Sequence, residues 1–360
     1  MKTKHVPLIL KYRFIGVFLF LLISCKKDEE KTSIKIPIIS TNKVDIITQN
    51  KAMVIGEIID NGGEAVFATG VYWGTNQNPS FNEGIVQMVI TDDIFIIRIH
   101  DLEPNTTYYV QAYASNSKGK GLGEVLSFTT LEALSDVEGN TYPTVLIGSQ
   151  EWMAENLRTT KYADGYDIEY PGDDNFAWSN NTDGAYAWFA NNITYKDFYG
   201  ALYNWYAIDN TRGLCPVGWH VPDYEEWIEL HNYLLEEFEA LLVDYERSNH
   251  SIYDVLGNAL KSCRQIGSPL GSECNVVDHP RWFPDHLNYG LDLFGFAALP
   301  GGGRHQSGGF REHLEIGYIG GWWSSIASIK IQRHWVGADN IISQNKASGW
   351  SVRCVRNTDE

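Results

Sequence analysis

Eleven of the chain's 12 tryptophans lie beyond residue 131, and only Trp73 precedes them. Indole rings at that density have to be buried together, in a core that long helical stripes do not supply. Most of the 33 glycines fall in the same stretch, among them Gly301-Gly302-Gly303 and Gly320-Gly321, so its backbone turns often. A loop-rich α+β domain is therefore expected over about 132–360. The chain has 360 residues, and at roughly 100–200 residues per domain there is room for another domain ahead of it.

The start of the chain reads as a leader. Lys2, Lys4, Lys11 and Arg13 are followed by FIGVFLFLLIS, an apolar run of 11 residues from Phe14 to Ser24. A membrane-spanning helix needs about 20, so the run reads as a signal-peptide core. Leu22-Ile23-Ser24-Cys25 resembles the lipobox of bacterial lipoproteins, which implies that residues 1–24 are removed and Cys25 carries the lipid. The alternative is a plain secretory peptide with an incidental cysteine. Lys26-Lys27-Asp28-Glu29-Glu30 is similar to the export signal of Bacteroidetes surface lipoproteins; the plainer reading is a solvated linker over 25–40. The expected location is the outer membrane, lipid-anchored and facing the exterior. The formal charge is −17, and loss of the leader removes four positive charges more. Such a surface repels phosphate backbones, so nucleic acid is not an expected partner.

Residues 41–131 carry short β-type runs without helical period: AMVIGEII (52–59), VFATGVYWG (66–74), IVQMVI (85–90), DIFIIRI (93–99) and TYYVQAYASN (107–116). In the last, Tyr108, Val110, Ala112 and Ala114 share one face. Leu102-Glu103-Pro104-Asn105-Thr106-Thr107-Tyr108 resembles the tyrosine corner of fibronectin type III domains, and SNSKGKGLGEVLSFTT resembles their last hairpin. The resemblance implies an all-β sandwich acting as a spacer. Glu103-Pro104-Asn105 also spells a lectin calcium tripeptide, read here as coincidence because it lies inside the corner.

In the second domain one helix is well signalled. It starts after Val221-Pro222, with Asp223 as N-cap, Glu226 three residues on as in a capping box, and Trp227, Leu230, Leu234, Phe238 and Leu241 at helical spacing. A weaker helix is expected over about 252–264. DVEGNTYPTVLIGSQEWMAENLRTTKYADG (136–165), YGALYNWYAI (199–208), GLCPVGWHVPDYEEWIEL (213–230), FGFAALPGGGR (294–304), GGWWSS (320–325) and SGWSVRCVR (348–356) together resemble the Fibrobacter succinogenes major paralogous domain. That resemblance implies a C-type lectin-like fold on a secreted surface protein. In the same fold family, retroelement-diversified proteins vary the stretch between the WWSS-like and SVRC-like strands to change ligand. Here that stretch is about 326–347, IASIKIQRHWVGADNIISQNKA. The implied ligand face holds His334, Trp335, Asp339, Asn340 and Asn345; a merely tolerant loop is the alternative.

Cys215, Cys263, Cys274 and Cys354 are an even set in an oxidising compartment, with three possible pairings. The fold resemblance implies Cys215–Cys354, which leaves Cys263–Cys274. Formylglycine-generating enzymes share this fold and use a cysteine pair near the C-terminus, but only Cys354 lies there. No zinc spacing is present, and His279, His286, His305, His313 and His334 read as loop histidines. Gly301-Gly302-Gly303-Arg304 lacks the Gly-Lys-Ser/Thr of a phosphate loop. Asp164/Asp167/Glu169 and Asp173/Asp174 can supply calcium oxygens or a glycosidase carboxylate pair, or simply solvate the surface. No cofactor is firmly implied; calcium is a possible metal. Most tryptophans sit in framework motifs and read as core, with Trp335 the one expected to be exposed and Trp178 and Trp188 next.

The reading is thus multi-domain: a fibronectin-like sandwich (41–131) and a C-type lectin-like head (132–360). The expected function is non-catalytic binding of a glycan or a surface protein. The alternatives are an enzyme of the formylglycine-generating or glycan-hydrolysing kind, or a structural scaffold of the cell surface.

Overall fold

The computed structural model describes residues 33–79, 85–88, 93–241, 257–271, 274–285, 289–311, 314–325, 328–332, 336–337 and 345–358, of which 85–88, 237–241, 328–332 and 336–337 by backbone alone. Cys25 and the leader lie outside the described residues.

Seven strands form the N-terminal half: β1 (Ile38–Asp45), β2 (Ala52–Asp60), β3 (Ala68–Gly74), β4 (Ile85–Met88), β5 (Ile94–Ile99), β6 (Thr107–Asn116) and β7 (Gly119–Thr129). They make two antiparallel sheets, β1-β2-β5 and β4-β3-β6-β7. Alternation along each strand turns one face inward, and Val54, Val71, Phe95, Ile97, Tyr108, Val110, Ala112 and Ala114 meet there as one buried cluster. Gly56 is obligatory in it, because a Cβ would sit 2.4 Å from the Phe95 ring. The corner forms as expected: the Glu103 N–H donates to the Tyr108 hydroxyl at 3.0 Å. This half is a β sandwich.

The second half carries short strands β8 (Leu134–Ser135), β9 (Thr141–Tyr142), β10 (Thr144–Ile147), β11 (Gln150–Met153), β12 (Tyr186–Ala187), β13 (Leu202–Tyr203), β14 (Ile319–Trp323), β15 (Ser328–Gln332), β16 (Val336–Gly337) and β17 (Val355–Asn357). They pair as β10-β11-β17, β14-β15-β16, β12-β13 and β8-β9. The helices are α1 (Asn175–Asn180), α2 (Lys196–Tyr199), α3 (Trp205–Ile208) and α4 (Tyr224–Leu241). The capping box of α4 is present in both directions, Asp223 N–H to Glu226 Oε2 at 2.8 Å and Glu226 N–H to Asp223 Oδ1 at 2.9 Å. Trp227, Leu230 and Leu234 then bury one stripe, with Trp227 and Trp152 ring centroids 4.7 Å apart.

The weaker helix ends earlier than expected. Helical backbone is described over 257–260, where Ala259 and Leu260 are buried, and Val255 and Leu256 lie outside the described residues. At Lys261 the chain turns into a bridge with Ala298, and Gln265 bridges Asn275 and Trp282. These pairings take the backbone groups that another helical turn would need.

Cys215 is bonded to Cys354 and Cys263 to Cys274. At the centre of the head Asn156 uses its whole amide. It donates to the Tyr199 carbonyl at 2.8 Å and the Ser351 hydroxyl at 3.3 Å, and accepts from Trp322 Nε1 at 2.8 Å and Arg353 Nε at 3.0 Å. The fully buried Arg353 guanidinium also donates to the carbonyls of Met153, Phe296 and Ala297.

The two halves are joined by more than the chain. The β1–β2 loop lies along β10: the Leu146 N–H donates to the Ile47 carbonyl at 2.9 Å. The Gln49 amide grips Thr144 from both ends, accepting its N–H at 3.0 Å and donating to its hydroxyl at 2.8 Å. Tyr233 of α4 donates to Asp45 at 2.7 Å. Ile46 packs on the head's core and Leu146 on the sandwich's.

Near this joint, burial pushes the Asp292 carboxyl from 3.8 up to about 6, against the Ala297 N–H and the cations Arg353, Arg98 and Lys51, which all pull it down. A raised carboxyl favours the folded state while protonated, and that contribution is lost as pH rises through about 6. Asp292→Asn keeps the acceptor for Ala297 and tolerates the backbone φ of 46°. The variant is expected to match the parent near pH 4 and to exceed it above pH 6 by at most about 3 kcal/mol. Thermal melts across that range check it; a variant less stable at pH 7.5 would contradict the assignment.

Candidate functional site

The turn Ala163-Asp164-Gly165 is built by an Asx bond, Tyr166 N–H to Asp164 Oδ1 at 3.0 Å, and by Gly165 at φ 86°. It closes a small hairpin, with Tyr162 N–H on the Tyr166 carbonyl at 2.9 Å, and pushes the Tyr166 ring outward to 60% exposure. One neighbour braces that ring: the Arg212 guanidinium lies 4.2 Å from its centroid and is tied to the Asp164 carboxylate. The Tyr166 N–H, followed by Arg212, holds the Asp164 carboxyl below its ordinary value.

Behind Tyr166 is a cleft of about 570 Å³ lined by Tyr162, Glu169, Asp183, Tyr206, Asp209, Asn210 and their neighbours. Its wall is fixed from inside the head. Asn204 is fully buried, caps α3 and donates to Asn181 at 3.0 Å; Asn181 donates in turn to Glu169 Oε2 at 2.7 Å. Glu169 therefore presents its carboxylate to the cleft from a held position. On the floor, Tyr162 and Asn210 both donate to the Asp183 carbonyl, at 3.1 and 3.2 Å. Burial pushes the Tyr162 phenol up to about 12, so it stays a hydrogen-bonding neutral group. A braced aromatic face beside fixed carboxylate and amide groups is chemistry that receives a hydroxyl-rich ring.

Of the ligand-face residues expected from sequence, His334, Trp335, Asp339 and Asn340 lie outside the described residues. Asn345 is exposed and accepts the Ala347 N–H at 2.9 Å. The end of that divergent stretch adjoins the cleft. Trp205 N–H donates to the Lys346 carbonyl at 2.8 Å, and Lys346 Nζ is 5.9 Å from the ring of Tyr206, a lining residue.

Trp178 and Trp188 are not sugar platforms. Both are buried, at 0% and 3% exposure. Trp178 Nε1 donates to the Ala347 carbonyl at 2.7 Å, and its ring carries the buried Arg304 guanidinium at 4.2 Å. The triple glycine thus leads into a structural strut. The acidic clusters are dispersed among separate partners. Asp167 pairs with Lys161, Asp173 accepts from Asn191 at 2.7 Å, and Asp174 caps α1. Among the described residues no group of three or more His, Cys, Asp and Glu is placed to hold a metal. His279 meets the Tyr199 hydroxyl at 2.6 Å and His305 the Ser307 hydroxyl at 2.8 Å; His286, His313 and His334 lie outside the described residues. Tyr166, Asn210 and Arg212 were not singled out from sequence, although the Asp164-Gly165 turn dipeptide before a tyrosine was a usable signal.

Residues 145–356 match the family model of the Fibrobacter succinogenes major domain. No curated protein matches the chain. Among solved structures, the sensor domain of an anti-sigma factor of Pseudobacteroides cellulosolvens is 20% identical, with 28% of this chain and 99% of that one covered and a TM-score of 0.23. The third fibronectin III domain of the human KIAA0343 protein is 17% identical, with 29% and 90% covered and a TM-score of 0.23.

Proposed function

The chain belongs to the Fibrobacter succinogenes major domain family, and from that premise we propose a surface-displayed lipoprotein that binds a glycan without transforming it. In this reading residues 1–24 are removed, Cys25 carries the lipid in the outer membrane, and the head faces the exterior with a C-type lectin-like build. The sandwich sets the head off from the membrane. The supporting observation is the Tyr166 ring, exposed and braced on the Arg212 guanidinium beside Glu169 and Asn210. Asn345 and Lys346 extend that face; His334, Trp335, Asp339 and Asn340, the other ligand residues expected from sequence, lie outside the described residues. An oxidase of the formylglycine-generating kind is disfavoured, since Cys215, Cys263, Cys274 and Cys354 are all in disulfides.

The test is a glycan array probed with the full chain, with calcium and with chelator. A stacked ring contributes up to about 1.5 kcal/mol beyond its buried area, so Tyr166→Ala is expected to weaken the retained glycan roughly tenfold. Chelator sensitivity would add calcium to the site. Undiminished binding by the variant would refute the site. Release of new reducing ends would replace the reading with hydrolysis, and self-association without any glycan would replace it with a scaffold.

A further inference from the structure

Six large apolar side chains of the sandwich are exposed among its described residues: Ile36, Ile38, Ile59, Phe67, Ile94 and Leu122, each by 50–60%. Single exposed apolar residues are ordinary on a protein surface, whereas a group of them in one place marks an interaction site. These six share one end of the sandwich. The registers pair Ile38 with Asp60, Ile94 with Glu57, and both Ala68 and Lys120 with Ser115. The starts of β1, β3, β5 and β7 therefore meet the ends of β2 and β6, and each of the six lies within four residues of one of those strand ends. The opposite end, with the β1–β2 loop, is docked on the head.

The chain also enters the sandwich at its apolar end. The Lys35 N–H donates to the Gly62 carbonyl at 2.8 Å, and Asn116, the last residue of β6, donates to the carbonyls of Lys35 at 2.6 Å and Asn61 at 3.0 Å. Gly62 is obligatory there, at φ 75° and with a Cβ that would sit 2.1 Å from the Lys35 carbonyl oxygen. Lys35 follows Cys25 by ten positions, a reach of at most about 36 Å. Charge at this end is mixed, Lys35, Lys118 and Lys120 against Asp60, Glu64 and Asp93, so it is no basic patch made for anionic lipid.

We propose that this end of the sandwich seats on the lipid surface beside Cys25, its isoleucine, leucine and phenylalanine side chains entering the interface. The proposal rests on the reading that Cys25 carries the lipid. Acyl chains and an apolar protein surface are two signals that hold a membrane more firmly than either alone. Because the head is docked on the far end, the seat keeps it on the side away from the lipid instead of letting it swing on the linker.

The full chain with its own anchor is placed in phosphatidylcholine vesicles. Four of its five cysteines are in disulfides, so a chain lipidated at Cys25 takes up no thiol-reactive fluorophore. Lys118→Cys then puts one fluorophore in the exposed turn between β6 and β7, and Val217→Cys puts one on the head, where the side chain is 90% exposed. Quenching by spin-labelled lipid is expected to be severalfold stronger at position 118 than at 217, with or without anionic lipid. Ile38→Ser/Phe67→Ser changes two exposed side chains and is expected to bring position 118 down to the level of 217 with an unaltered melting temperature. Equal quenching at the two positions, quenching unchanged in the double variant, or quenching that requires anionic lipid would each overturn the seat and leave the anchor standing. Energy transfer between labelled chains that disappears in the double variant would assign this end to a second copy instead. Fluorophore taken up by the parent chain at Cys25 would overturn anchor and seat together.

Discussion

Changing Cys215 and Cys354 together to alanine is expected to remove about 5 kcal/mol from the head, while the same change at Cys263 and Cys274 removes only about 3 kcal/mol. The difference follows from loop length. A cross-link restricts the unfolded chain roughly as the logarithm of the loop it closes, and the sequence separations are 139 and 11. Burial adds to the gap, since Cys215 and Cys354 sit in a core cluster with Tyr203, Trp323 and Trp350, where alanine leaves unfilled volume. Domains of this size have margins of about 5–15 kcal/mol, so the first variant is expected to lose between about a third and all of its margin. Urea melts of the two double variants check the order. Equal losses would mean that the long loop is already restricted in the unfolded chain.

Asn156→Leu is the second large expected loss, about 4 kcal/mol or more. Leucine has a similar size, so packing is nearly preserved and the effect isolates the hydrogen bonds. Four groups lose their partner at once: the Trp322 indole N–H, the Arg353 Nε, the Tyr199 carbonyl and the Ser351 hydroxyl. Each buried group left unpaired costs about 1–3 kcal/mol, more when it is charged. Asn156→Asp keeps the two acceptor roles and sets a carboxylate beside Arg353, a group that burial lowers to about 9 and that is therefore held charged at a cost. The aspartate variant is expected to lose clearly less than the leucine variant. Urea midpoints of both decide; a leucine variant as stable as the parent would show that water or neighbouring groups replace the network.

Local patterns made the sandwich legible, because β2, β3, β5 and β6 fall in runs rich in β-branched and aromatic residues that end at turn residues. β1 was not found. Its IISTNKVD has no alternation, and its pairing with β2 slips between Ile38 and Ile39 and between Thr41 and Lys43. In the head, α4 was legible because its cap is local, whereas the helix after it was overextended, since what stops it is pairing with Ala298, far along the chain. The cleft escaped for the same reason. Tyr166, Asp183 and Asn210 are brought together from three separate loops, and no periodicity connects them. Trp178 and Trp188 lie outside the framework motifs and read as exposed, yet a buried arginine covers the first and Tyr186 packs edge-on against the second. The docking of Gln49 on Thr144 was equally invisible, since both are polar residues of a kind that ordinarily faces water.

The bond between Cys215 and Cys354 bears on how the head meets proteases. Every peptide bond between those two cysteines, including those of the divergent stretch and both sides of the helix α4, lies within a single covalent ring. One cut in that ring opens it into a longer line without releasing a piece. The nicked head keeps Tyr166 and Arg212 on one side of the cut and Trp350 on the other, still bonded at Cys215 and Cys354, so a clipped molecule stays whole where an unbridged one would come apart into two pieces.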